Sequence, residues 1–283
     1  MNRLHRGALI ALVVTSNAFA QSYPVKPIRL VLPYPPGGGT DVIARPLAQK
    51  LTEQLGQQVI VDNRGGAGGN IGMEFVAKSP ADGYTLLFAL TAQYAVNPSL
   101  YPKLPYDPVR DYAPISLLAN APYLLVVHPA LPAKSVAELV ALVKARPGQL
   151  SYSSSGNGSG AHLAGEMLRS LAHVEIVHVP YKGAGPAMPD LIAGQVQLSF
   201  ITYTVAGPHI KTGRLRALGV TTAKRSPTLP DLPAIGETVA GYDSAVWYGF
   251  AAPAGTPPEI VSKLNAEVLR VLAAPDFRSR ITL

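Results

Sequence analysis

The 283-residue chain has no cysteine and a single tryptophan. Without thiols there is no cysteine nucleophile, no CxxC redox pair, no cysteine zinc or iron–sulfur site and no disulfide. An exported protein that needs no disulfide has the same count, so no compartment follows from it. Charge is also sparse, at 14% of residues, and the net +7 is spread thinly, Lys224 and Arg225 being the only adjacent basic pair. No basic stripe interleaved with aromatics is present to track a phosphate backbone, so nucleic acid is not an expected partner. Long hydrophobic runs are missing too, and no segment reaches the roughly 18 apolar residues of a membrane span. What the chain does have is 48% hydrophobic residues, enough for one large domain or two ordinary ones with covered cores.

The first 20 residues have the pattern of an export signal. Arg3, His5 and Arg6 form a basic start, Gly7 to Val14 a short apolar stretch, and Ala18-Phe19-Ala20 the small-residue cleavage site, with the mature chain starting at Gln21. With no cysteine after the cleavage site there is no lipid anchor, and the product is expected to be soluble outside the inner membrane.

Beyond residue 21 the pattern alternates between β-rich runs and helical periodicity. Strands are predicted over 28–32, 59–61, 84–90, 123–127, 150–153, 175–179, 198–201, 215–221 and 245–251. Helices are predicted over 71–77, 136–145, 163–171, 186–193 and 258–272, and another opens after Thr40, with Leu47, Leu51 and Leu55 on one face. Pro46 predicts a kink or an early end in that first helix. Repeated βα units imply an α/β fold with mainly parallel sheets. The proline-punctuated stretches 97–114 and 226–253 divide the units into two groups.

Two loops carry the candidate chemistry. Gly37-Gly38-Gly39-Thr40-Asp41 follows a strand and opens a helix, so backbone N–H groups at the positive end of the helix dipole are approachable without Cβ obstruction. It is neither a Walker A loop, which needs a Lys, nor GxGxxG. Ser153 to His162 repeats the arrangement with serines and glycines before the next helix. Two such cradles facing one another would hold a carboxylate by charge-assisted hydrogen bonds without a buried Arg. A glycine-rich turn with no ligand is the plain alternative.

Catalytic readings fail on spacing. Ser159 is flanked as Asn157-Gly158-Ser159-Gly160-Ala161, not as GxSxG. Ser154, Ser159 and His162 share one loop, where capping is a better reading than a triad. No HExxH or carboxylate pairing at metal-ligand spacing occurs, so neither catalytic residues, a metal nor a cofactor is expected. His173 and His178 are read as flanking a strand. Trp247 and Tyr248 fit a cleft wall or the core equally well.

A series of ordered runs then covers nearly the whole mature chain. They include Tyr23-Pro24-x-Lys26-Pro27-Ile28, Pro35 to Asp41, Asn63-Arg64 with Gly65 to Gly72, Asp82-Gly83-Tyr84-Thr85-Leu86, Asn97 to Tyr101, Gly156 to Ser159, His162 to Glu166, Val179 to Gly183, and Pro253 to Pro257. In these the chain resembles the Bug family, the extracytoplasmic solute receptors of tripartite tricarboxylate transporters. The resemblance implies a type II periplasmic-binding-protein fold, two α/β lobes with mainly parallel sheets joined by crossing hinge strands. Lobe 1 is expected over 21–120 plus 244–283 and lobe 2 over 121–243. It further implies a periplasmic monomer that closes on a small carboxylated solute and delivers it to inner-membrane permease subunits, with no enzyme activity.

By position, the resemblance assigns Gly38, Gly39, Thr40 and Asp41 to a first carboxylate loop with Tyr34 as aromatic wall. Ser154, Gly158, Ser159, Gly160, Ala161 and His162 form a second, and Thr91, Ala92 and Gln93 follow the third strand. Thr202 and Tyr203 complete the set. Two departures bear on the ligand. Gly160-Ala161 stands where many relatives have Ser-Thr, and Ile201-Thr202 where they have Asp-Asn, so an acid for a ligand amine is missing and a carboxylate with a neutral or aromatic distal part is expected. The family also continues for some tens of residues past 272, so the end at Leu283 is read as a truncation that uncovers part of lobe 1. A ligand-gated sensor is the alternative function, and an α/β hydrolase a distant third.

Overall fold

The computed structural model describes residues 23–281; the export signal expected over 1–20 lies outside them. In chain order the first elements are β1 (Ile28–Leu32), α1 (Gly39–Leu55), β2 (Val59–Asn63), α2 (Asn70–Ala77), β3 (Thr85–Leu90), α3 (Asn97–Leu100), β4 (Tyr112–Pro122), β5 (Leu124–Val127) and α4 (Val136–Ala145). They continue as β6 (Ser151–Ser154), α5 (Gly160–Ala172), β7 (Val177–Pro180), α6 (Ala184–Ile192), β8 (Leu198–Ile201), α7 (Tyr203–Lys211), β9 (Arg216–Val220), β10 (Ala245–Pro253), α8 (Pro258–Ala273) and α9 (Pro275–Ile281).

Two five-stranded sheets result, ordered β2-β1-β3-β10-β4 and β7-β6-β8-β5-β9. Both are mixed, which narrows the expectation of mainly parallel sheets. The βα units pair in parallel, β1 with β2 and β3, β6 with β7 and β8. Antiparallel pairing is confined to strands that enter one sheet from the direction of the other: β10 with β3 and β4, β5 with β8 and β9.

Strand alternation builds the core on both faces of each sheet. In β3, Leu86, Phe88 and Leu90 join the cluster under α1, α8 and α9, while Leu87 and Ala89 pack with Met73 and Val76 of α2. In β5, Leu125 and Val127 face α4 and α5, while Leu124 and Val126 face α6 and α7. This covering on both sides explains the uninterrupted apolar runs in these strands.

Several elements depart from the sequence expectation. α1 runs through Pro46 without ending; the helical bond that proline removes belongs to the carbonyl of Val42, a residue on the exposed face of the helix. β4 lies partly within the stretch read as punctuation. Its buried residues, Tyr112, Ile115 and Leu118, recur every third position because its pairing with β10 contains two register shifts. α7 contains Gly207 and Pro208 and was not expected. Nor was α9, which places Phe277 in the first core. His178 is inside β7, and His173 caps α5 at φ 50°, so neither simply flanks a strand.

The chain passes between the sheets at Tyr123 and again after β9. Thr221, fully buried, ties the two crossings together: its Oγ1 accepts from the Tyr123 N–H at 2.8 Å and donates to the Ser244 carbonyl at 2.6 Å.

Candidate functional site

A cavity of about 60 Å³ lies between the two sheets, at the C-terminal ends of the parallel strands, where open α/β sheets characteristically place their ligand crevices. One wall is Tyr34, Pro35, Gly38, Gly39 and Thr40 with Leu90, Thr91 and Ala92; the other is Ser155, Ser159, Gly160, Gly183, Ala184, Phe200, Ile201 and Thr202. Tyr123, Val246 and Tyr248 close the hinge side.

Four helices begin at this cavity, and their N-cap residues, Gly38, Ser159, Gly183 and Thr202, all line it. Only Ser159 caps its own helix, accepting from the His162 N–H at 3.3 Å; the other three make no side-chain cap bond. First-turn N–H groups have no intrahelical partner and carry the positive end of the dipole. Among the described residues that line the cavity there is no Lys, Arg, His, Asp or Glu. The positive potential is therefore built from backbone.

Side-chain donors add to it. Thr40 Oγ1 is buried without a partner. Burial pushes the Tyr34 phenol up to about 12 and drives those of Tyr123 and Tyr248 upward as well, so all three stay neutral hydroxyls. The Tyr123 ring lies over Gly160: a Cβ there would come within 2.9 Å of two ring carbons. That packing accounts for glycine at this position.

Of the residues assigned from sequence, Tyr34, Gly38, Gly39, Thr40, Thr91, Ala92, Ser159, Gly160 and Thr202 line the cavity. The others do not, each for a visible reason. The Asp41 carboxylate is turned to Arg45 at 2.9 Å and to Asn63. Gln93 is fully buried behind Tyr34. Ala161 belongs to the second-sheet core, and Tyr203 packs on the other face of that sheet. Gly158 sits against Asn97 and Leu100. Ser154 Oγ and His178 Nε2 are 2.6 Å apart, while His162 Nδ1 accepts from the Gly158 N–H at 3.1 Å. Neither serine therefore faces an imidazole within the cavity, and His162 of α5 and His178 of β7 serve as buttresses: their rings stack at 4.1 Å, with Tyr152 next in the stack at 4.8 Å from His178.

The residues that sequence reasoning missed fall into two kinds. Gly183 and Ala184 follow a strand and open a helix, the same signal as the two glycine loops, so they were findable. Tyr123, Phe200 and Val246 carry no local signal and meet only through the fold. β10 settles the open pair: Trp247 packs on Tyr94 at 5.5 Å on one face, and Tyr248 reaches the cavity from the other.

Two mixed α/β sheets joined by paired crossings around an anion-favouring cleft define a two-lobed solute-binding protein of the periplasmic-binding class. The chain belongs to the tripartite tricarboxylate transporter family of receptors, whose model matches residues 43–282, and with it to the Bug proteins that its sequence resembles. BugT of Bordetella pertussis is 42% identical over 257 residues, covering 89% of this chain and 78% of that protein. The structure of Rpa4515 from R. palustris with adipate is 41% identical with a TM-score of 0.89, over 92% of this chain and 87% of that one. MatC from Rhodopseudomonas palustris with bound malate is 33% identical with a TM-score of 0.85, over 91% and 88%. The family is one of solute receptors, and the chain is not an enzyme.

Proposed function

We propose that this receptor closes its two lobes, 21–120 with 244–283 and 121–243, over a small carboxylate with an uncharged body. The observation that carries the reading is the meeting of four helix N-termini in a cavity lined without a charged side chain. Backbone N–H groups and neutral hydroxyls reward an anion, and charge-assisted bonds of this kind are each worth about 1.5 to 3 kcal/mol. An ammonium group would meet the same donors without a compensating acid, since Ile201 and Thr202 occupy this wall and no Asp or Glu lines the cavity. The adipate and malate of the related structures fit the acid half of this description. The same reading makes the protein a periplasmic monomer that hands its solute to inner-membrane permease subunits; family membership is the support for this, and the described residues contain no helix long and apolar enough to cross a membrane.

Calorimetry and thermal shift with adipate, malate, benzoate, aspartate, glutamate and arginine test it. Binding of one or more of the first three, with melting raised as mass action requires, and weaker binding of the amino acids is expected. Preference for an amino acid overturns the ligand class.

A further inference from the structure

Gln93 contributes nothing to the cavity surface, yet its amide decides how a residue on that surface behaves. Its Nε2 donates to the Gly68 carbonyl at 2.8 Å and lies 3.1 Å from Tyr34 Oη. A carbonyl oxygen only accepts, so the Gly68 contact fixes which end of the amide faces this way; an amide nitrogen only donates, so Tyr34 Oη is the acceptor. The amide has no freedom to turn over. A Cβ at Gly69 would run into it, and Asn97 Nδ2 shares the Gly68 carbonyl at 3.2 Å. The proton of Tyr34 is left over, with no protein acceptor among the described residues.

We infer that Gln93 is a positioning residue: by donating to Tyr34 it commits the phenolic proton to the cavity, where Tyr34 and Thr40 together receive one oxygen of the bound carboxylate. This rests on the receptor reading above. Thr40 supports it independently, because its Oγ1 is buried on the same wall with no partner in the protein. Burial keeps Tyr34 protonated to about pH 12, so the donor is present at any working pH. The ligand must therefore present an acceptor atom here. A carboxylate oxygen qualifies; a primary amide nitrogen or an ammonium group does not.

Gln93→Glu tests the direction of that bond while keeping side-chain length. Whether ionised or protonated, a carboxyl at 93 offers an oxygen to which Tyr34 donates, turning the phenolic proton away from the cavity. The probe is whichever of adipate, malate and benzoate the wild-type chain binds most tightly in calorimetry. Gln93→Glu and Tyr34→Phe are each expected to weaken it about tenfold or more, and the double variant should bind no more weakly than Tyr34→Phe alone, since the glutamine acts only through the tyrosine. Gln93→Met, which removes the donor without reversing it, repeats the cycle should the glutamate variant not fold, as judged by circular dichroism and melting. Unchanged affinity in the Gln93 variants, or losses that add in the double variant, overturns the inference and leaves the receptor reading standing. A wild-type chain that binds none of the three acids overturns the receptor reading, and this inference with it.

Discussion

His162 and His178 show what a single proton would do to this molecule. Burial depresses both imidazoles, and the neighbouring His162 ring helps to bring His178 down to about 4. Glu166 pulls the other way and Arg169 adds to the depression, so the pair faces a balanced ionic surround. An unfolded histidine takes up its proton near pH 6.5, so acid favours the unfolded chain. The stability conferred by neutral His178 is complete above about pH 6.5 and is lost progressively as the pH falls to about 4. Melting temperatures measured across that window should fall in the wild type and fall less in His178→Gln, which removes the titration; parallel curves would exonerate the histidine. Local sequence could not identify these residues as buttresses. His178 is 24 residues from the serine it contacts, and only the pairing of β6 with β7 brings them together.

Among the elements, the helix starts were the most legible part of the site. Small residues between a strand and a helical pattern have a local physical cause, because backbone that must approach a ligand cannot carry a Cβ, and the loops at 37–41 and 153–162 were readable for that reason. α7 was not, since Gly207 and Pro208 remove the propensity by which a helix is recognised; its packing on α1 and β5 is tertiary and has no local signal. β4 stayed hidden because bulges changed its burial period from two to three. Ser159 offers a direct check on the legible part. It alone among the four cavity N-caps uses its own side chain, so Ser159→Ala should cost about 1 kcal/mol of stability, read from urea denaturation with an unchanged slope. An equivalent loss from Thr202→Ala, which caps nothing with its side chain, would show that the effect is not capping.

For the molecule as a whole, the decisive contacts lie where the two sheets' loops meet, away from the hinge. A Cβ at Gly185 in α6 would lie 3.2 Å from the Pro36 carbonyl oxygen, and one at Gly37 would lie 3.9 Å from Gly185 itself. Across the same seam Gly158 packs on Asn97 and Leu100, and Gly68 on the Asn157 carbonyl. At Gly185 and Gly68 a side chain would press on backbone carbonyl oxygen of the other half, so the halves meet closely here, as a clamp that closes on an anion requires. Gly185 has no positive φ that a side chain would strain, so Gly185→Leu acts as a wedge and not as a backbone defect. Each half keeps its own core on both faces of its sheet, so the wedge should leave folding intact, with an unchanged circular dichroism spectrum. In small-angle scattering with saturating carboxylate, the wild type should contract relative to its ligand-free form and the leucine variant should contract less, with weaker binding to match. The closed population and the affinity are linked, because a ligand that needs both cradles binds only the closed state. A variant that contracts and binds like the wild type would mean that ligand capture does not depend on this seam, and would move the search for closure to the hinge at Tyr123, Thr221 and Ser244, where Thr221→Val removes the hydroxyl bridge between the two crossings.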